Sequence, residues 1–172
     1  MNNIYRIVTD SASDMGEHLT EWGVPSVSLT LKFEGEDKIQ RNDEVEPVAF
    51  YNRMREGGVA KTSAVNPEEF IGIFDPILAA GEDILYIGFS SGLSTTCNSG
   101  RIAADKLSEK YPERKIVVID SLSASAGFGM IVYLAVKVMA KRARVKKMVL
   151  CNLWIVCLQI SLMATLLSLA IF

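Results

Sequence analysis

The chain has 172 residues, of which 49% are hydrophobic and 22% charged, a composition sufficient for one folded domain with an apolar core. Residues 1–120 carry 12 basic and 20 acidic side chains, and such an acidic body is a poor match for nucleic acid. The three cysteines are scattered, which fits a reducing, cytoplasmic compartment and argues against a disulfide framework or a zinc site. The N-terminus has no apolar run, so we expect no secretory leader.

The first predicted strand covers residues 5–9 and is followed by Asp10 and Ser11. A helix is predicted from there to about Trp22. Because open α/β sheets bind ligands at the carboxyl ends of their strands, Asp10 and Ser11 are candidate ligand-binding residues. The alternative is that both residues only cap the helix.

The segments that follow are less regular. Residues 24–31 alternate between apolar and polar side chains and predict a second strand. Residues 32–46 are charged and predict a loop with at most a short strand. The apolar spacing within residues 47–55 predicts a helix, which ends before a pair of glycines.

A polar segment precedes the next predicted helix. Asn66 and Glu69 have the spacing of a capping box, with a proline at the first helical position, so this helix is predicted to run to about residue 80. Thr62 and Ser63 lie just before it. They are either loop hydroxyls in contact with solvent or ligand-binding groups.

The chain is organised around a strand, a glycine-serine loop and a helix. The apolar residues 84–87 predict a buried strand, the loop contains Ser91, and Ser94 and Thr95 precede a helix predicted over residues 98–109. The first amide N–H groups of a helix lack partners and carry partial positive charge, so this arrangement suits a carboxylate or phosphate. An ordinary serine-rich cap without a ligand is the alternative.

The last predicted strand, residues 116–119, is a run of β-branched residues typical of a strand buried on both faces. It ends in Asp120 and Ser121, a repeat of the dipeptide after the first strand, which indicates related positions at one sheet edge. A further helix is predicted over residues 130–140. The alternation of strands and helices predicts an α/β domain with a largely parallel sheet flanked by helices.

Four short segments, taken together and in order, resemble the DegV-like fatty-acid-binding family. They read VTDSASD, KTS, SSGLSTT and VIDS, and they begin at residues 8, 61, 90 and 118. The resemblance covers about residues 4–140, the first domain of the family. It implies a bacterial cytoplasmic protein that holds a long-chain fatty acid, without catalysis or a cofactor of its own. Bacterial members are similar to the acyl-carrier subunit of fatty-acid kinase, which presents the carboxylate to a separate kinase subunit for acyl-phosphate formation and phospholipid synthesis.

Carried over residue by residue, the resemblance implies that Thr62 and Ser94 hold the carboxylate. Each begins or precedes a helix, so we predict that they lie close together at the carboxyl edge of one sheet. The residue after the loop serine is usually glycine in the family and is Thr95 here, a departure that leaves the hydroxyls in place. Three neighbours of the carboxylate are also implied, namely Ser63, Ser91 and Thr95.

The resemblance stops at about residue 140, so residues 1–140 are interpreted as the DegV-like domain and residues 141–172 as a separate tail. We expect the second domain of the family to be missing here or replaced by an apolar tail. Residues 148–172 contain no charged side chain and exceed the length of about 18 residues needed for a membrane span, with basic residues before them. A membrane anchor, a helix covering the sheet, and a truncated or frame-shifted product are the three interpretations, and the abrupt loss of resemblance favours the last.

The alternative function is an enzyme or sensor for a small phosphorylated metabolite at the same loop. His18 lies in a predicted surface helix, and no Cys/His or Ser/His pair suggests nucleophilic catalysis. A phosphometabolite needs a cationic pocket, whereas a fatty acid needs an apolar one. Only Lys61 and Arg101 lie near the two hydroxyl segments in sequence, which favours the fatty acid.

Overall fold

The computed structural model describes residues 5–141 as two sheets and five helices. The strands are β1 (Tyr5–Asp10), β2 (Ser26–Val27), β3 (Thr30–Phe33), β4 (Gln40–Arg41), β5 (Ala60–Ser63), β6 (Asp83–Gly88) and β7 (Ile116–Asp120). The helices are α1 (Glu17–Glu21), α2 (Pro47–Arg55), α3 (Pro67–Ala79), α4 (Thr96–Lys110) and α5 (Ser125–Lys141). Four strands form a parallel sheet in the order β2-β1-β6-β7, which confirms the predicted α/β class.

The parallel sheet is covered on both faces, and β6 shows this most clearly. All six of its residues are buried. Leu85 and Ile87 pack on one face with side chains of α1 and α5, while Ile84 and Tyr86 pack on the other with side chains of α3 and α4. Because successive side chains of a strand point to opposite faces, a strand between two helical layers must be apolar throughout. Burial on both faces therefore explains the continuous apolar run of residues 84–87.

The second sheet is antiparallel, in the order β4-β3-β5, and the sequence did not predict it. The predicted single strand over residues 24–31 is wrong: its first part is β2 in the parallel sheet, and its last two residues begin β3 in the antiparallel one. The chain leaves the parallel sheet after Val27, where the Leu29 N–H donates to Ser11 Oγ at 2.9 Å. Polar and apolar residues alternate through both strands, so the sequence pattern gives no sign of the passage from one sheet to the other.

The helices agree closely with the predicted ones, with differences at their ends. The capping box at the start of α3 is present, since Asn66 and Glu69 exchange two hydrogen bonds of 3.0 Å. Helix α1 is shorter than predicted because a 3₁₀ turn, Ser11–Ser13, precedes it. Helices α4 and α5 begin two and five residues before their predicted starts, respectively. The predicted tail, apart from its first residue, lies outside the described residues, and within residues 5–141 no helix is long and apolar enough to cross a bilayer.

Candidate functional site

The carboxyl end of β1 is tied to the loop after β6 by a buried carboxylate. Asp10 Oδ2 accepts hydrogen bonds of 2.8 Å from the Tyr86 hydroxyl and from the Phe89 N–H. Asp10 Oδ1 accepts from the Ala12 N–H at 3.2 Å, so the same side chain also caps the 3₁₀ turn. The interpretation of Asp10 as a cap is therefore confirmed, here for the 3₁₀ turn, and Asp10 also holds the loop after β6. Its role in ligand binding stays a prediction.

A second aspartate holds this loop from the other side. Asp120, at the end of β7, accepts with one oxygen from the N–H groups of Ser91 at 3.1 Å and Leu122 at 3.0 Å. Because β6 lies between β1 and β7, the two Asp-Ser strand ends flank the loop that leaves β6. The related positions predicted for the two dipeptides are thus present. Their carboxylates accept hydrogen bonds from backbone N–H groups of the loop, a role that the dipeptide sequence did not predict.

Ser94 and Thr96 connect the loop to the segment that contains Thr62. Their hydroxyl oxygens are 2.9 Å apart, and Ser94 Oγ also accepts from the Thr96 N–H at 3.2 Å. Thr96 Oγ1 in turn accepts from the Val65 N–H at 3.3 Å. These contacts join the loop, the start of α4 and the chain that leaves β5. From the sequence, Thr96 is only a candidate helix cap, like Ser94 and Thr95, and the Ser-x-Thr spacing is the available signal for its contact with Ser94.

Thr62 lies in β5 of the antiparallel sheet, so the prediction that Thr62 and Ser94 share one sheet edge is wrong. Thr62 pairs with the buried Leu31 and shares its face, because residues directly opposite in an antiparallel pair point the same way. Ser63 pairs with Thr30 and points to the other face. The Val65–Thr96 contact brings the two predicted segments together across a boundary between sheets.

The remaining predicted residues have different surroundings. Ser91 is exposed and donates its N–H to Asp120. Thr95 is exposed at the position before α4 and makes no side-chain capping bond. Ser11 is buried, and its hydroxyl accepts from the Leu29 N–H. Ser11 also lines a cleft of about 310 Å³ whose walls include Arg41 but neither Thr62 nor Ser94.

Burial perturbs the titratable groups beneath the loop. It raises the pKa of the Asp10 carboxyl to about 6, although the three hydrogen bonds that Asp10 accepts favour its charged form. Burial is the main cause that raises the pKa of Tyr86 well above its usual value, and the negative charge of Asp10 adds to it. Burial, with a smaller contribution from the negative charge of Asp120, raises the pKa of the Cys97 thiol to about 11. This thiol is therefore protonated at neutral pH.

Two cationic side chains lie near the hydroxyl segments in sequence, and of these Arg101 is exposed on α4. Lys61 forms an ion pair of 2.7 Å with Glu34. Asp10 and Asp120 add negative charge on either side of the loop. Among residues 5–141 no group of histidine, cysteine, aspartate and glutamate side chains could hold a metal ion. The predicted anion site would therefore consist of neutral hydroxyls and the amides at the start of α4, with Arg101 as the nearby exposed cation.

Two comparisons decide the family. The model of a family described as "Uncharacterised protein, DegV family" matches residues 5–150. This chain belongs to the DegV family. A DegV domain-containing protein of Clostridium perfringens is 39% identical over 131 residues, and one of Lactococcus lactis is 33% identical over 141 residues. These alignments cover 75% and 77% of this chain but 45% and 47% of the relatives, so the chain spans about half the length of the curated DegV proteins it matches.

Solved DegV structures share the fold. A DegV family protein from Thermus thermophilus, reported for its fatty acid binding, has a TM-score of 0.77 at 29% identity over 90% of this chain and 53% of its own. A DegV lipid-binding protein from Thermotoga maritima has a TM-score of 0.71 at 26% identity. The match covers 87% of this chain and 52% of the Thermotoga protein. The fatty acid kinase B3 protein of Streptococcus pneumoniae, loaded with linoleic acid, matches at 20% identity and a TM-score of 0.69, a likeness of fold.

Proposed function

We propose that this DegV domain binds a long-chain fatty acid through its carboxylate. The observation that carries the proposal is the Ser94–Thr96–Val65 contact, which places the loop hydroxyls beside the chain from β5 at the start of α4. Ser94 is half-buried and has a hydroxyl available to a ligand. The binding reported for solved DegV proteins at 26% and 29% identity supports a lipid as the ligand.

The surroundings of the loop favour a fatty acid over a phosphorylated metabolite. A phosphate dianion needs cationic side chains, but Lys61 is paired with Glu34 and two aspartates flank the loop. Two apolar side chains of this edge are exposed, Leu93 by 68% and Leu122 by 51%. Exposed apolar side chains beside an anion site suit a ligand with one charged end and an alkyl chain.

The partner in this proposal is a separate kinase subunit that phosphorylates the bound carboxylate. The protein itself supplies binding and presentation, and no catalytic step is assigned to its residues. This part of the proposal rests on the family resemblance to acyl-carrier subunits of fatty-acid kinase. Mixing the purified chain with such a kinase subunit, ATP and a fatty acid tests it, since acyl phosphate should form only when all components are present.

Binding itself is tested by titration with parinaric acid, a fluorescent long-chain fatty acid. Ser94→Ala should lower the affinity by about 10- to 100-fold, because it removes one hydrogen bond to a charged group. Ser108→Ala, on the exposed part of α4, is the matched control and should bind like the wild type. Equal affinity of Ser94→Ala and wild type would remove Ser94 from the site. Lipid extraction and mass spectrometry of the purified protein would identify the acid that it carries.

A further inference from the structure

Thr96 is the most enclosed hydroxyl of the site. Its side chain begins α4 and is fully buried. Its oxygen accepts a hydrogen bond from the Val65 N–H and lies 2.9 Å from Ser94 Oγ. Ser94 is only half-buried, so the two hydroxyls form a short chain that runs from the interior to the surface.

The direction of the hydrogen bond between the two hydroxyls follows from burial. A hydroxyl has one hydrogen and two lone pairs. Among the described residues, Ser94 Oγ is the acceptor that the Thr96 hydroxyl meets. If Ser94 donated to Thr96 instead, the buried Thr96 hydrogen would have no acceptor, a state that folded proteins avoid. Thr96 therefore donates and Ser94 accepts.

This direction determines what Ser94 can offer a ligand. Ser94 Oγ already accepts from the Thr96 N–H, and with the Thr96 hydroxyl it accepts twice. Its lone pairs are then occupied, and its own O–H remains as a donor. Two accepted hydrogen bonds also polarise this O–H and strengthen the bond that it donates.

We infer that Thr96 is a positioning residue that makes Ser94 a dedicated hydrogen-bond donor and so selects a ligand with a charged acceptor group, a free carboxylate. The inference rests on the proposed function and adds to it a reason for preferring the acid over a neutral lipid. A methyl ester of the same acid keeps the alkyl chain but has no charged acceptor. Its ester carbonyl is a neutral and weaker acceptor, so the contribution of Thr96 should be larger with the acid than with the ester.

The test compares parinaric acid with methyl parinarate on the full 172-residue chain and its variants. Thr96→Val removes the hydroxyl and keeps the β-branched shape, and Thr96→Ala is a smaller second variant in case valine does not fit. Both should lower the affinity for the acid about tenfold and the affinity for the ester by a clearly smaller factor. Thr96→Ser retains the hydroxyl and should bind the acid within about twofold of the wild type. Melting curves monitored by circular dichroism confirm that each variant is folded.

The double variant Ser94→Ala/Thr96→Val adds a further check. If Thr96 acts through Ser94, the double variant should bind the acid no more weakly than Ser94→Ala alone. Equal losses for acid and ester in Thr96→Val, or a loss in Thr96→Ser as large as in Thr96→Val, would overturn the inference in favour of a purely structural role. Weak binding by Ser94→Ala with unchanged binding by the Thr96 variants would overturn the inference alone. A wild-type chain that binds neither probe would overturn the proposed function, and the inference with it.

Discussion

The Tyr86 hydroxyl donates a 2.8 Å hydrogen bond to Asp10 Oδ2 between the two central strands of the parallel sheet. Both side chains are fully buried. Tyr86 has room because two glycines face it: a Cβ on Gly100 would stand 2.4 Å from its ring, and a Cβ on Gly88 would stand 2.8 Å from its hydroxyl oxygen. The same Asp10 oxygen accepts the Phe89 N–H, so this pair couples the core packing to the start of the proposed binding loop.

Removal of the Tyr86 hydroxyl should destabilise the protein. Tyr86→Phe keeps the ring contacts with Phe70 and Phe74 but takes one hydrogen bond from a buried carboxylate. We expect the free energy of unfolding in urea at pH 8 to fall by about 1.5–3 kcal/mol. Tyr51→Phe changes an exposed tyrosine of α2 in the same way and should have no measurable effect. Equal stability of the two variants would show that the Tyr86–Asp10 bond contributes little.

The buried Asp10 carboxyl should make stability depend on pH in an unusual direction. Its folded-state pKa of about 6 is raised above the ordinary value, so folding favours its protonated form. Its contribution is fully present below the unfolded pKa of about 4 and is lost as pH rises to about 6 and above. Asp10→Asn cannot ionise. The difference in unfolding free energy between wild type and Asp10→Asn should therefore change by up to about 3 kcal/mol between pH 4 and pH 7.

Other carboxylates titrate in both proteins and cancel in this comparison. The pKa of Asp43, for example, is lowered by its hydrogen bonds with Arg41 and Ser28 despite the opposing effect of burial. Such groups stabilise the folded state as pH rises and would hide the effect of Asp10 in the wild type alone. A difference between wild type and Asp10→Asn that stays constant across this pH range would mean that Asp10 keeps an ordinary pKa in the folded protein.

Gly100 should not tolerate a side chain, although it lies inside a helix where alanine is normally preferred. The added Cβ of Gly100→Ala would overlap the Tyr86 ring and approach Phe70 to 3.3 Å, at a cost of about 1–3 kcal/mol. Gly72→Ala in α3 is the matched control, because a Cβ there meets no atom within 4 Å. It should stabilise the protein by about 0.5–1 kcal/mol. Urea unfolding of both variants measures the contrast, and stabilisation by Gly100→Ala would contradict the packing described for Tyr86.

The hydrogen bonds of Asp120 should matter for binding more than for stability. Asp120→Ala leaves the Ser91 and Leu122 amides without their acceptor, but both residues are exposed and water can replace it. We expect a melting temperature close to that of the wild type and an affinity for parinaric acid several-fold lower, because the loop loses its attachment to the end of β7 through Asp120.

Asp120→Asn separates the hydrogen bonds from the charge. Its amide oxygen still accepts the two N–H groups, and the negative charge near the proposed carboxylate is removed. The affinity of Asp120→Asn should equal or exceed that of the wild type. If the alanine and asparagine variants bind equally well, the loop does not depend on these hydrogen bonds.

Local patterns in the sequence predicted the parts of this fold that local physics determines. Residues 84–87 are apolar throughout because helices cover both faces of β6, and this requirement is visible without a structure. Residues 116–119 have the same pattern, but they form β7 at the end of the described sheet, and only Ile119 among them is buried, so the prediction of full burial is wrong there. The capping box of Asn66 and Glu69 spans one helical turn, so its spacing alone was sufficient. The α/β class and the family resemblance followed from the order of such segments.

The antiparallel sheet and the contacts within the site depended on residues distant in sequence. Residues 60–63 include three polar side chains and have no strand pattern, and they are a strand because β3 supplies their hydrogen-bond partners. Tyr86 is 76 residues from Asp10, and Thr96 is 31 residues from Val65. Single hydrogen bonds at such separations leave no periodic signal, because the register of strands and the packing of helices bring the partners together. Sequence therefore indicated which hydroxyls could bind a carboxylate, and the tertiary structure decided which of them meet.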